Sequence, residues 1–152
     1  MMQASEVIKH ISIGGIGAGF GSALRALFTI VIAPLGCISS PPITSTDYNF
    51  PIATFISNLL GAFILGCVGR LGTNGRITIH TTLFFGAGFC GGLTTFSSYA
   101  VEILLSLHYK WIGQAIIYFI STQIGGLLVF AISWYITNYY FPKKVIANNN
   151  GS

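Results

Sequence analysis

Apolar residues in this chain neither alternate nor keep to one helical stripe. They run in four long blocks, at residues 11–32, 50–71, 78–107 and 111–141, parted by short polar clusters. A helix needs about 20 apolar residues to cross the hydrocarbon of a bilayer, and each block meets that length. The pattern predicts four transmembrane helices in one domain over residues 1–144, with little left outside it. Residues 1–10, MMQASEVIKH, read as a short polar leader. The first block is too long for the core of a cleaved signal and contains Arg25, so it belongs to the mature chain. Residues 34–49 hold three of the five prolines and read as an extramembrane loop. In the turn GTNGR at 72–76, Gly and Asn are suited to positive φ. Pro142 ends the last helix, and residues 145–152 form a frayed tail.

Polar residues inside the blocks carry the candidate chemistry. The third block contains GFCGGLTTFSSYAVE at 88–102, where a glycine pair and two β-branched threonines make a poor helix interior. A mid-membrane break over residues 91–95 is predicted. Carbonyls freed at that depth need partners from protein, water or an ion. Thr94, Thr95, Ser97 and Ser98 supply hydroxyls there, and Phe96 and Tyr99, three apart, fall on one helical face. In the second block Thr54 and Asn58 are four apart and share a face. An amide in hydrocarbon must use its hydrogen bonds, either joining helices or lining a pathway. Beside Thr54 and the break, Asn58 is read as lining a pathway. Tyr118 and Thr122 give the fourth block a similar hydroxyl stripe. Gly15 with Gly19, and Gly17 with Gly21, are spaced for close helix approach. Arg25 lies roughly 21 Å into the first span at about 1.5 Å per residue, placed either to reach the interface or to bond carbonyls. Glu102 is the one acid inside a span, either an interfacial partner of Lys110 or a proton-coupling carboxylate.

Composition supports the pattern: 53% of the 152 residues are hydrophobic and 7% charged, against about 25% charged in soluble domains. The net charge of +4 is scattered over the loops, where nucleic-acid binding would want a contiguous basic stripe. Lys9, Arg70, Arg76, Lys143 and Lys144 share one side of a four-span chain, against Lys110 and Arg25 on the other. The positive-inside rule then favours cytoplasmic termini. Cys37, Cys67 and Cys90 have no metal-ligand spacing and read as packing residues. Three acids and three scattered histidines offer no convergent acid, base and nucleophile set, so an enzyme is not indicated.

Three runs together, GFGSALR at 19–25, FPIATFISNLLGAFILG at 50–66 and GFCGGLTTFSSYAVE at 88–102, resemble the small four-span fluoride channels of the Fluc or CrcB family. The likeness follows all four spans in order, and the third run is its specific part. The resemblance implies an all-α integral membrane protein of a bacterial plasma (inner) membrane, an antiparallel, dual-topology homodimer with two pores. Those pores would pass fluoride out of the cytoplasm by passive electrodiffusion, with lipid and a second copy as the only partners. It implies a structural Na+ at the dimer interface, held by backbone carbonyls of Gly91 and Thr94. It assigns Asn58, Thr54, Phe96, Tyr99, Ser97, Ser98, Tyr118 and Thr122 to the fluoride pore, and Arg25 and Glu102 to structural or vestibule positions. Two departures stand out. Tyr99 replaces a phenylalanine of the family's TTFSTF run, so its hydroxyl is placed to donate to the anion or alter the rate. The charge bias also exceeds what equal insertion in both directions would want.

Fluoride chemistry fits such a lining. The ion is small and strongly hydrated, so a narrow pore must replace its water with N–H and O–H donors. Aromatic ring edges carry partial positive charge and add to them. The main rival is a small four-helix proton-coupled exporter of organic cations, which needs a membrane-buried carboxylate. Glu102 would have to fill that role. A structural subunit that docks a partner through its glycine-rich helices is a second rival.

Overall fold

The computed structural model describes residues 4–32 and 50–143. The proline-rich loop with Cys37 and Asp47, Lys144, and the tail at 145–152 lie outside the described residues. The elements of the described residues are all helices: α1 (Ala4–Ile32), α2 (Ile52–Thr73), a third segment in pieces, and α6 (Ile112–Tyr140). That third segment runs through α3 (Ile79–Thr82), a π-helical stretch (Leu83–Cys90), α4 (Gly91–Leu93) and α5 (Phe96–His108). Among the described residues four segments are long and apolar enough to span a membrane, and the protein is a multi-pass membrane protein.

Burial inverts the soluble pattern, as lipid solvation requires. Ile8, Ile11, Phe20, Ile30, Leu127 and Leu128 are exposed, while Thr54, Ser57, Tyr118, Thr122, Ser133 and Thr137 are buried between helices. Lipid is as apolar as leucine, so helices associate through close packing and hydrogen bonds instead. On α1 that packing uses Gly17 and Gly21. A Cβ at Gly17 would meet the Phe84 carbonyl, and one at Gly21 the Phe89 carbonyl and the Leu93 amide. From the other side, Gly88 and Gly92 press on the carbonyls of Gly14 and Ala18. Gly15 and Gly19, spaced just as well, have no described neighbour within 4 Å, so only one of the two predicted stripes makes this contact.

Successive contacts along α2 and α6 run in the same order, Gly66 against Ser133 and Gly69 against Trp134, so the two helices are parallel. Their ends are tied by polar bonds. Arg70 donates through Nε and Nη2 to Asn138 Oδ1 at 2.9 and 2.6 Å, with its guanidinium 5.2 Å from the centre of the Trp134 ring. Asn74 Nδ2 donates to the Phe141 carbonyl at 2.6 Å, and Arg76 to that of Pro142 at 3.0 and 3.1 Å.

Three local expectations are corrected. Residues 4–10 of the predicted polar leader are already helical, continuous with the first span, and nothing in that stretch breaks a helix. In the turn only Gly75 has positive φ, at 68°, while Asn74 stays right-handed and caps α2. Gly91 and Gly92 are helical rather than broken. Their missing side chains serve the contact with α1, and extended backbone is confined to Thr94 (ψ 153°) and Thr95 (φ −146°, ψ 122°). The widened hydrogen bonding lies upstream, in the π-helical stretch, which periodicity does not reveal.

Candidate functional site

The site is built where α2 meets the extended pair Thr94–Thr95 and α6 meets the helix α5 that follows it. Thr95 has left the helical ladder, and Asn58 from α2 takes up its backbone as a neighbouring strand would. The Thr95 amide donates to Asn58 Oδ1 at 2.8 Å, and Asn58 Nδ2 donates to the Thr95 carbonyl at 3.3 Å. The Thr95 side chain starts the next helix, its hydroxyl accepting from the Ser98 amide at 3.2 Å and lying 3.2 Å from the Ser97 hydroxyl. It also donates to the Ser98 hydroxyl at 3.2 Å. Such a cap satisfies an amide that has no partner within its own helix.

A second cluster lies about two turns further along α5. Glu102 accepts from the Thr54 hydroxyl at 2.6 Å through Oε1 and from the Tyr118 hydroxyl at 2.7 Å through Oε2. Thus Thr54 and Asn58, on one face of α2, both meet the third segment, at points seven residues apart in its sequence. The Lys110 pairing weighed from sequence is not the bond Glu102 makes; helical geometry carries its carboxylate inward, to the hydroxyls.

Aromatic rings join the clusters. Phe50 stands edge-on to Tyr118 at 5.2 Å between ring centres, Tyr118 lies 5.2 Å from Tyr99, and Tyr99 lies 5.9 Å from Phe96. Phe96 and Tyr99 are neighbours, as their spacing predicts, but their surroundings differ. Tyr99 is 3% exposed and Phe96 77% exposed in the single chain. Thr122 is buried beside this row, its hydroxyl without a described protein partner.

On the α1 side, the Gly92 carbonyl accepts from Ser22 Oγ and from Arg25 Nε, both at 3.3 Å. Arg25 therefore bonds a carbonyl next to the break, the second of its two sequence readings. Gly91 is exposed, and Thr94 donates its hydroxyl to the Cys90 carbonyl at 2.9 Å. Gly91, Thr94 and Asn58 line one groove of about 570 Å³ with Gly61 and Gly86.

Sequence reasoning missed three contributors. The sequence marks Thr95 by its hydroxyl and its place in the break, yet it is the Thr95 backbone that Asn58 holds. Phe50 sits just before Pro51, outside α2, where helical periodicity gives no face to read. Gln123 donates through Nε2 to the Tyr99 hydroxyl at 3.2 Å. The rule that singled out Asn58, an amide inside an apolar span, finds it too.

Comparison with known proteins follows the same residues. A family model described as CrcB-like protein, Camphor Resistance (CrcB), matches residues 12–134. A protein of Chlorobium chlorochromatii (strain CaD3) named fluoride-specific ion channel FluC is 35% identical over 120 residues, 78% of this chain and 84% of the relative. One of the same name from Azobacteroides pseudotrichonymphae is 30% identical over 135 residues, 88% of this chain and all of the relative. Another, from Helicobacter acinonychis (strain Sheeba), is 37% identical over 92 residues, 60% of this chain and 72% of the relative. The matched region takes in most of α1, all of α2, the interrupted third segment and most of α6, and on that extent the chain belongs to the CrcB-like family.

Proposed function

We propose that this protein is a fluoride channel, passing fluoride out of the cytoplasm by passive electrodiffusion as an antiparallel homodimer with two pores. The observation that carries the reading is the interruption at Thr94–Thr95, bridged by Asn58 and flanked by hydroxyls and a row of aromatic rings. Its donors are neutral amides and hydroxyls, which can stand in for water around a small halide without holding it as a fixed ammonium would. The names of the relatives point the same way. In this reading Asn58, Ser97, Ser98, Phe96 and Tyr99 face the ion path near the break, with Thr54, Tyr118 and Thr122 continuing it toward Glu102. Arg25 braces the break from α1 through Gly92.

The same reading places a sodium ion at the dimer centre, on the Gly91 and Thr94 carbonyls of both copies. The residues fit such an ion. The Thr95 amide, which would close the helical bond to Gly91, goes to Asn58 instead, and Thr94 is extended, so its carbonyl leaves the helix axis. Both residues line the open groove. A hard cation there would supply charge to balance converging carbonyl oxygens.

Purified protein in liposomes loaded with fluoride, read by a fluoride electrode, tests the proposal: rapid release independent of a pH gradient is expected. Glu102, a carboxylate within a span, is the observation that favours a proton-coupled exporter. Proton-dependent uptake of an organic cation without fluoride release would establish that rival instead.

A further inference from the structure

We infer that Gln123 is a positioning residue: its amide fixes the Tyr99 ring by engaging the phenol oxygen, and so keeps the hydroxyl on α6 and out of the ion path. The inference rests on the channel reading above. Placing the third-segment aromatic as a tyrosine raises a problem that phenylalanine would not. A phenol O–H carried into a buried position must find a partner or lose stability. In a pore for an anion it has an unwanted one available, since a free O–H donor would bond the ion itself and hold it.

The structure answers both needs with one pair. Tyr99 is buried, and its oxygen accepts from Gln123 Nε2 at 3.2 Å. Its own hydrogen is directed at the Phe119 carbonyl, over a long contact of 3.5 Å. Gln123 and Phe119 are four apart on α6, so the phenol docks between one turn's carbonyl and the next turn's amide. The arrangement settles Gln123 as well, because an amide on an exposed face of an apolar helix also needs a partner. With the oxygen held at one end and the ring packed on Tyr118 at 5.2 Å, Tyr99 has little freedom to swing toward Phe96. Its ring edge then serves as a phenylalanine edge would, and its hydroxyl does not.

Gln123 acts through Tyr99, so its effect must vanish when the phenol oxygen is removed. The experiment compares fluoride release from liposomes for the wild type, Gln123→Leu, Tyr99→Phe and the double variant. Gln123→Leu should slow release about tenfold in the wild-type background, the factor that one hydrogen bond's share of a barrier produces. In the Tyr99→Phe background, whatever rate that variant has, adding Gln123→Leu should change nothing further. Equal slowing in both backgrounds would make Gln123 a general packing residue and overturn the inference; no slowing in either would do the same. A second readout stands apart from transport. The ring Cζ resonance of isotope-labelled Tyr99 should shift and broaden in Gln123→Leu, but not in Ile124→Ala beside it. An unchanged resonance in Gln123→Leu would overturn the pairing even if the wild type conducts. A wild type that passes no fluoride, with the resonance shifted, would refute the channel reading while leaving the pair in place.

Discussion

Replacing Asn58 by leucine tests the bridge at the break, because the two side chains are similar in size and differ in what they can bond. The variant removes both bonds to Thr95, at 2.8 and 3.3 Å, and leaves that residue's amide and carbonyl without the partner they have. Each orphaned polar group costs about 1–3 kcal/mol, hence roughly 2–6 kcal/mol for the two. Side-chain hydrogen bonds between membrane helices average about 0.6 kcal/mol, which would give only about 1.2. The higher figure should win, since Thr95 is buried and water cannot readily replace Asn58. A loss near 3 kcal/mol at the break, felt by the ion path, corresponds to about a hundredfold slower fluoride release. Liposome release measured with an electrode, alongside the unfolding midpoint in detergent, gives both numbers. Asn58→Asp guards against simple misfolding: it keeps an acceptor for the Thr95 amide but sets oxygen against the Thr95 carbonyl and adds charge that repels an anion. It should unfold later than Asn58→Leu and still conduct poorly. If Asn58→Leu unfolds with the wild-type midpoint and releases fluoride at the wild-type rate, the bridge holds nothing that matters.

Other substitutions separate further parts of the architecture. Gly21→Ala forces a carbon to 2.7 Å from the Leu93 amide nitrogen and should cost about 1–3 kcal/mol in a denaturation midpoint, whereas Gly19→Ala should cost far less. Glu102→Gln turns one carboxylate oxygen into a donor facing the hydroxyl of Thr54 or Tyr118, so thermal stability should fall by about 1 kcal/mol; combined with Tyr118→Phe, the losses should be less than additive. Arg70→Ala loses two bonds to Asn138 and the contact with Trp134, so protease should cut the 72–76 turn faster than in the wild type. Exchanging sodium for choline should lower the unfolding midpoint of the liposome-competent protein, and an unchanged midpoint would count against the carbonyl-bound ion.

Much of this is legible in the sequence, for a physical reason. Hydrocarbon obliges backbone bonds to close within each segment, so four apolar blocks become four helices with little choice. Helical spacing likewise put Thr54 and Asn58 on one face of α2, and both reach the third segment. Where reasoning stopped short, the deciding partner came from another segment. Spacing cannot distinguish Gly17 and Gly21 from Gly15 and Gly19, because only the neighbour's backbone chooses between them. Glu102 could be placed on a helix but not aimed, and its aim decides whether it meets a lysine or two hydroxyls. The glycine pair was read for its conformational freedom when its use is thinness, leaving Thr94 and Thr95 to depart from the helix. Gln123 follows Thr122 directly on α6, and its spacing alone does not say that its amide meets the Tyr99 hydroxyl of another segment.

The wide-turned stretch over Leu83–Cys90 also bears on how this chain tolerates insertions and deletions. Bonds that skip five residues instead of four take up surplus length, and each α-helical residue advances the azimuth by about 100°. Losing one residue there can let the coil tighten to ordinary pitch while Phe96 and everything after it keep their compass bearing. The same loss within α5 has no slack to draw on, and would turn every downstream side chain away from its partner.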